Sequence, residues 1–190
     1  MSEISDQMPF TSTDFILIIG KKGSGKSTLM KGLISTLEPE FYKATGKPFI
    51  KIDPLMEFGG KFIRSGDKIA YNTELKTMFQ KRNEFIVTDE ADKFWKNKEA
   101  LTQTQSDFID IGRHWGLGGM FITRRLARLH TDLVSNANKL FIFKLWTKAD
   151  FDYLRGADLG DFIPTIASLP KYHFLGIDLD NNTSTVFDPI

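Results

Sequence analysis

The chain has 190 residues, of which 41% are apolar and 26% charged, with a formal net charge of +1 and no cysteine. That length suits one compact domain with its own core and argues against an accessory domain. The near-neutral charge excludes a broadly basic nucleic-acid surface and leaves only local contacts, while the lack of cysteine excludes disulfides and thiolate metal sites.

In chain order, residues 1–14 form a polar N-terminal segment without a basic-then-apolar signal pattern, so a cytoplasmic, non-secreted protein is expected. Residues 15–190 read as a single domain. The first apolar run, FILII from Phe15 to Ile19, is too short to cross a bilayer and reads as a buried strand. After the loop Gly20 to Thr28, Leu29, Leu33 and Leu37 recur every four residues and mark one face of a helix. Further strand-like runs follow at Phe49 to Ile52, Ile69 to Tyr71, Phe85 to Thr88, Gly118 to Ile122 and Leu140 to Leu145, with helical patterns between most of them. Between Gln105 and Trp115, the helical period puts Phe108, Ile111 and Trp115 on one face and Arg113 nearly opposite. The last stretch, YHFLGIDLDNNTSTVFDP, predicts a hairpin turning at Asp180 to Asn182 and closing one edge of the sheet. Continuous apolar runs alternating with helices predict an α/β domain, its mostly parallel sheet covered by helices on both faces. His114, His130 and His173 show no metal-ligand spacing.

The loop between the first strand and the first long helix, GKKGSGKST, fits G-x-x-x-x-G-K-[ST] in full. Its glycines, Gly20, Gly23 and Gly25, permit backbone conformations that a Cβ would hinder, so successive N–H groups can turn toward phosphate oxygens at a helix N-terminus. Gly20, Lys21, Lys22, Gly23, Ser24, Gly25, Lys26, Ser27 and Thr28 are therefore the expected nucleotide-binding residues. Lys26 would reach the β and γ phosphates and the Ser27 hydroxyl would hold Mg²⁺. In EFIVTDEAD, Asp89 ends a strand and would hold the metal from its other side. Glu90, immediately after it, would accept a proton from water, which favours hydrolysis over transfer; the alternative is that Glu90 and Asp92 only cap the next element.

GKKGSGKST, FIKIDPLMEFGG with Asp53-Pro54, FIVTDEAD and GRHWGLGGMFITRR, in that order, resemble the core of the FtsK–HerA superfamily of DNA-pumping ATPases, especially its compact viral genome-packaging members. The resemblance covers Phe15 to about Leu154. It implies a RecA-like P-loop NTPase fold of the ASCE type, with a strand inserted between the loop strand and the acidic-pair strand. It further implies ATP and Mg²⁺ as cofactors, a homo-oligomeric ring (pentamer or hexamer), and sites completed by a neighbouring subunit. Double-stranded DNA gripped without sequence specificity, and a capsid vertex or portal protein, are the implied partners. The implied location is the host cytoplasm, in association with the virion or procapsid. Arg113 matches the family's arginine finger; the plainer reading is an exposed cation at a helix C-terminus.

One departure is visible. The family's γ-phosphate-sensing Gln is replaced by Arg124, and Arg125 follows. Arg124 can contact phosphate as a cis sensor, Arg125 can act as a second finger, both can bind DNA, or they can form a structural pair with Asp132 or Asp150. Lys93, Lys96 and Lys98, around Phe94 and Trp95, form a basic and aromatic segment able to line a DNA channel or simply to face water. Two other functions remain open at this level. One is a small-molecule kinase, with RRLARLH as an arginine-bearing lid; the other is a nucleotide-gated assembly protein without turnover.

Overall fold

The computed structural model describes residues 2–190. Seven strands form one sheet: β1 (Phe15–Ile19), β2 (Ile50–Ile52), β3 (Glu84–Thr88), β4 (Leu117–Thr123), β5 (Lys139–Phe143), β6 (Phe174–Asp178) and β7 (Thr183–Phe187). Their spatial order is β2-β3-β4-β1-β5-β6-β7. The pairs from β2 across to β5 are parallel, and β6 and β7 are antiparallel. This is the expected architecture, with β4 inserted between the loop strand β1 and the acidic-pair strand β3, and the C-terminal hairpin closing an edge.

The helices are α1 (Ser2–Gln7), α2 (Lys26–Thr45), α3 (Lys68–Lys81), α4 (Gln103–Ile111), α5 (Thr131–Ser135), α6 (Lys148–Gly156) and α7 (Ile163–Ser168). Residues alternate between the two faces of β1, so Phe15, Leu17 and Ile19 join one core layer and Ile16 and Ile18 the other. Helix α2 covers the second layer with Leu29 and Leu33 buried and Leu37 half-buried, as the stripe predicts; Met30, Ile34 and Phe41 widen the buried face. The N-terminal segment contributes to that layer as well, since α1 and the residue after it bury Ile4 and Met8 there.

Three local expectations are corrected. Ile69 to Tyr71 is not a strand but the start of α3. The Asp67 carboxylate accepts the Ala70 N–H (3.0 Å) and caps the helix, and Tyr71, Leu75 and Met78 bury at helical spacing while Ile69 is 84% exposed. Ile111 lies outside, not on the buried face of its helix. The buried row is Phe108, Ile109 and Gly112, because α4 ends at Ile111 and tightens into a 3₁₀ turn over Gly112–Trp115. Phe94 and Trp95 are fully buried and unavailable for stacking on DNA. Tyr71 stacks on Phe94 with ring centroids 4.5 Å apart, and its hydroxyl accepts the Trp95 Nε1–H at 2.8 Å. Burial pushes the Tyr71 phenol well above its ordinary range. Among the described residues no helix is long and apolar enough to cross a membrane.

Candidate nucleotide site

Parallel strands deliver their C-terminal ends to one edge of the sheet, so the turns after β1, β3 and β4 meet there. After β1 the chain enters the glycine loop, which is tied to β4 by the Gly20 N–H donating to the Thr123 carbonyl (3.2 Å). Gly20 must be glycine for space: a Cβ would stand 2.7 Å from Phe143 Cβ and 2.8 Å from Ser24 Oγ. Gly25, at φ +106, must be glycine for conformation, and it turns the chain into the first turn of α2.

The loop's polar groups fit a phosphate chain. Lys26 is only 7% exposed, and its Nζ donates to the Lys21 carbonyl (2.7 Å), one acceptor for a group with three N–H donors. Ser24 Oγ is buried with no hydrogen-bond partner among the described residues. Such an orphan costs about 1–3 kcal/mol, and a phosphate oxygen in the cradle would satisfy it. Burial first, then the Arg124 guanidinium, lower the Lys26 pKa to about 8, against Asp89 and Glu57, which raise it. An anionic phosphate reverses that shift.

Asp89 directly follows β3, its N–H donating to the Ile52 carbonyl (3.1 Å) and its Oδ1 accepting the Glu90 N–H (2.8 Å). Burial pushes its pKa up, the Glu90 N–H opposes that, and the negative charges of Glu90 and Glu57 add to it. A carboxyl raised by neighbouring anions is one a cation would return to its charged form. Ser27 and Asp89 are the residues that would hold Mg²⁺, a cation that ordinarily keeps phosphate and water among its ligands.

Glu90 adopts a left-handed backbone, φ +49, which turns it out of the strand line. One of its carboxylate oxygens lies 3.5 Å from Arg124 Nη2, and the other accepts a long hydrogen bond from Ser65 Oγ (3.4 Å). Arg124 is thus joined to the acidic pair on its own chain, and neither Asp132 nor Asp150 is its partner. Asp132 faces His130, and Asp150 accepts the Ala127 N–H and the Thr147 hydroxyl. Arg125 is exposed and makes no ion pair among the described residues, and Asp92 holds the Thr123 hydroxyl (2.9 Å) at the end of β4. In the segment that the alternative kinase reading takes as a lid, Leu126 and Leu129 are fully buried.

Arg113 is not brought to this cluster. It precedes β4, whereas Arg124 follows it, and seven strand residues separate the two by about 20 Å or more. Arg113 is exposed and makes no ion pair or side-chain hydrogen bond among the described residues. The three lysines lie at the nucleotide edge of the sheet and line, with Arg128, a cleft of about 390 Å³. Lys96 pairs with Glu99 (3.0 Å), which Lys68 also contacts, so Lys93, Lys98 and Arg128 are the cleft's cations without an ion pair among the described residues. Sequence reading missed Glu57, Ser65 and Arg128. For Glu57 the available signal was Asp53-Pro54, since Asp53 accepts the Phe58 N–H (2.7 Å) and shapes the turn bearing Glu57.

A family model described as "ATPase family associated with various cellular activities (AAA)" matches residues 16–111. No curated protein matches in sequence. Among solved structures, the genome packaging NTPase B204 of Sulfolobus turreted icosahedral virus 2, in complex with AMPPCP, superposes with a TM-score of 0.81 at 22% identity, covering 95% of this chain and 100% of that one. The DNA-packaging ATPase B204 of Sulfolobus turreted icosahedral virus gives 0.79 at 20% identity over the same shares. The N-terminal domain of zonular occludens toxin from Neisseria meningitidis gives 0.57 at 13% identity, covering 94% of this chain and 95% of that one. At these identities the likeness is one of fold.

Proposed function

The chain belongs to the AAA family of ATPases and is an NTPase using ATP with Mg²⁺, and we propose that it is the motor subunit of a viral genome-packaging ring that translocates double-stranded DNA. In this reading Lys26 and the loop N–H groups hold the β and γ phosphates. Ser27 and Asp89 would hold Mg²⁺, which would screen the charge of the phosphates. Glu90, once released from Arg124, takes a proton from the attacking water, and Arg124 is then free to contact the γ-phosphate. Arg125 stands beside it as a further phosphate or DNA contact.

The observation that carries the reading is the placement of Arg113. An exposed guanidinium with no ion pair among the described residues, on backbone about 20 Å from its own nucleotide cluster, stands where a finger for a neighbouring subunit's site would stand, and a ring provides such a neighbour. A few unpaired cations per subunit, Lys93, Lys98 and Arg128, suffice for DNA when several copies face one channel, and contacts of this kind go to the backbone without reading sequence. The similarity of fold to packaging NTPases supports the same assignment. A capsid vertex or portal protein would then be the docking partner, in the cytoplasm of the infected host. The test measures ATP hydrolysis with and without double-stranded DNA, and the molar mass by light scattering with an ATP analogue and DNA present. DNA-stimulated turnover by an oligomer is expected. A protein that stays monomeric under every condition, or whose turnover ignores DNA, would overturn the motor.

A further inference from the structure

Two cavities flank Tyr172, and both border the phosphate loop. One, of about 310 Å³, lies between Tyr172, Phe143, Gly25 and Thr28, with Pro189 and Ile190 on its far wall. The other, of about 320 Å³, opens toward Trp146 and Lys171. Lys171 Nζ sits 4.6 Å from the Tyr172 ring centroid and borders only the second cavity, so the ring face toward the first is not covered by it.

Strand order decides which end of a nucleotide lies where. Asp89, Glu90 and Arg124 mark the terminal phosphate, and they follow β3 and β4, on one side of β1. Strands β5 and β6 stand on the other side, where Phe143 ends β5 and Tyr172 precedes β6. A nucleotide with its terminal phosphate at Lys26 and Asp89 leaves the loop past Gly25 and Thr28, into the first cavity. Tyr172 is shaped for what arrives. It holds φ +68 in the turn before β6, a left-handed backbone uncommon for a bulky residue. The residue is 44% exposed, yet its ring lies against the loop, since a Cβ on Gly25 would be 3.7 Å from Tyr172 Cδ1. Of the eight residues around this cavity, Thr28 and Tyr172 alone have polar side chains, so the Tyr172 ring offers a stacking surface while most hydrogen bonds to a base edge would have to come from backbone groups.

We propose that the nucleoside base stacks on Tyr172 in this cavity; the assignment rests on the nucleotide reading of the glycine loop. Stacking of a base on an aromatic ring is worth about 5- to 150-fold in affinity. Calorimetric titration of the full chain with Mg²⁺ and either ATP or inorganic tripolyphosphate separates base from phosphate. Tyr172→Ala is expected to weaken ATP by about that factor while leaving tripolyphosphate unchanged, and Tyr172→Phe to keep ATP binding near wild type. Unchanged ATP affinity in Tyr172→Ala, or equal losses for both ligands, would overturn the stacking site. Wild-type protein that binds neither ligand would instead overturn the nucleotide reading, and the base site with it.

Discussion

Lys26 provides a test of the site that needs no turnover, because its ammonium is held out of water before any phosphate arrives. Burial, with help from Arg124, brings its pKa to about 8 from 10.5. At pH 8 about half of the free protein therefore carries a neutral Lys26, at pH 9 about nine-tenths, and at pH 6.5 almost none. A bound phosphate favours the ammonium and raises the pKa again. ATP binding should then take up about half a proton at pH 8 and nearly a whole one at pH 9, and affinity should fall about tenfold between pH 7 and pH 9. Calorimetric titrations in buffers of different ionisation enthalpy measure that uptake directly. The same shift acts on folding. Between pH 8 and 10.5 the unfolded chain binds more protons at this position than the folded one, so the free protein's stability should gain from rising pH in that window. Lys26→Met should remove that gain. Titrations at pH 8 and 9 that do not depend on the buffer would refute the account.

Glu90→Gln should keep ATP binding and lower hydrolysis by roughly two to four orders of magnitude, measured as phosphate release, because it loses the proton acceptor and leaves the loop intact. A rate near wild type would make Glu90 a structural partner of Arg124. Arg113→Ala should lower turnover by roughly 10³ to 10⁵ with binding and melting temperature unchanged, since the side chain is exposed and unpaired. Mixed with Lys26→Ala it should recover activity above the sum of the two, because some interfaces pair an intact site with an intact finger; no recovery with subunit exchange verified would return Arg113 to a helix-end role.

What the sequence could and could not disclose follows from how far each feature reaches along the chain. GKKGSGKST is legible because strand, loop and helix are contiguous and each glycine answers a local need, space at Gly20 and positive φ at Gly23 and Gly25. Asp89 and Glu90 are legible because a strand's end fixes where the next residues emerge. Ile69 to Tyr71 misleads because three apolar letters carry no period; the signal lay outside the run, in Asp67 as cap and in Leu75 and Met78 continuing from Tyr71. Phe94 and Trp95 mislead for a different reason. Beside three lysines they read equally well as a channel lining, and their burial is decided by Tyr71, brought from a helix more than twenty residues earlier. Tyr172 was beyond reach altogether, since its meaning lies in contact with Gly25 at the opposite end of the chain. The same logic separates the two arginines that sequence placed together in one mechanism. Arg124 meets Glu90 because β3 and β4 are adjacent and parallel, whereas Arg113 stands at the other end of β4 and cannot join them within one subunit. A strand hydrogen-bonded on both sides, as β4 is, holds that separation fixed. If Arg113 acts in hydrolysis at all, the missing half of its site belongs to another copy of this chain.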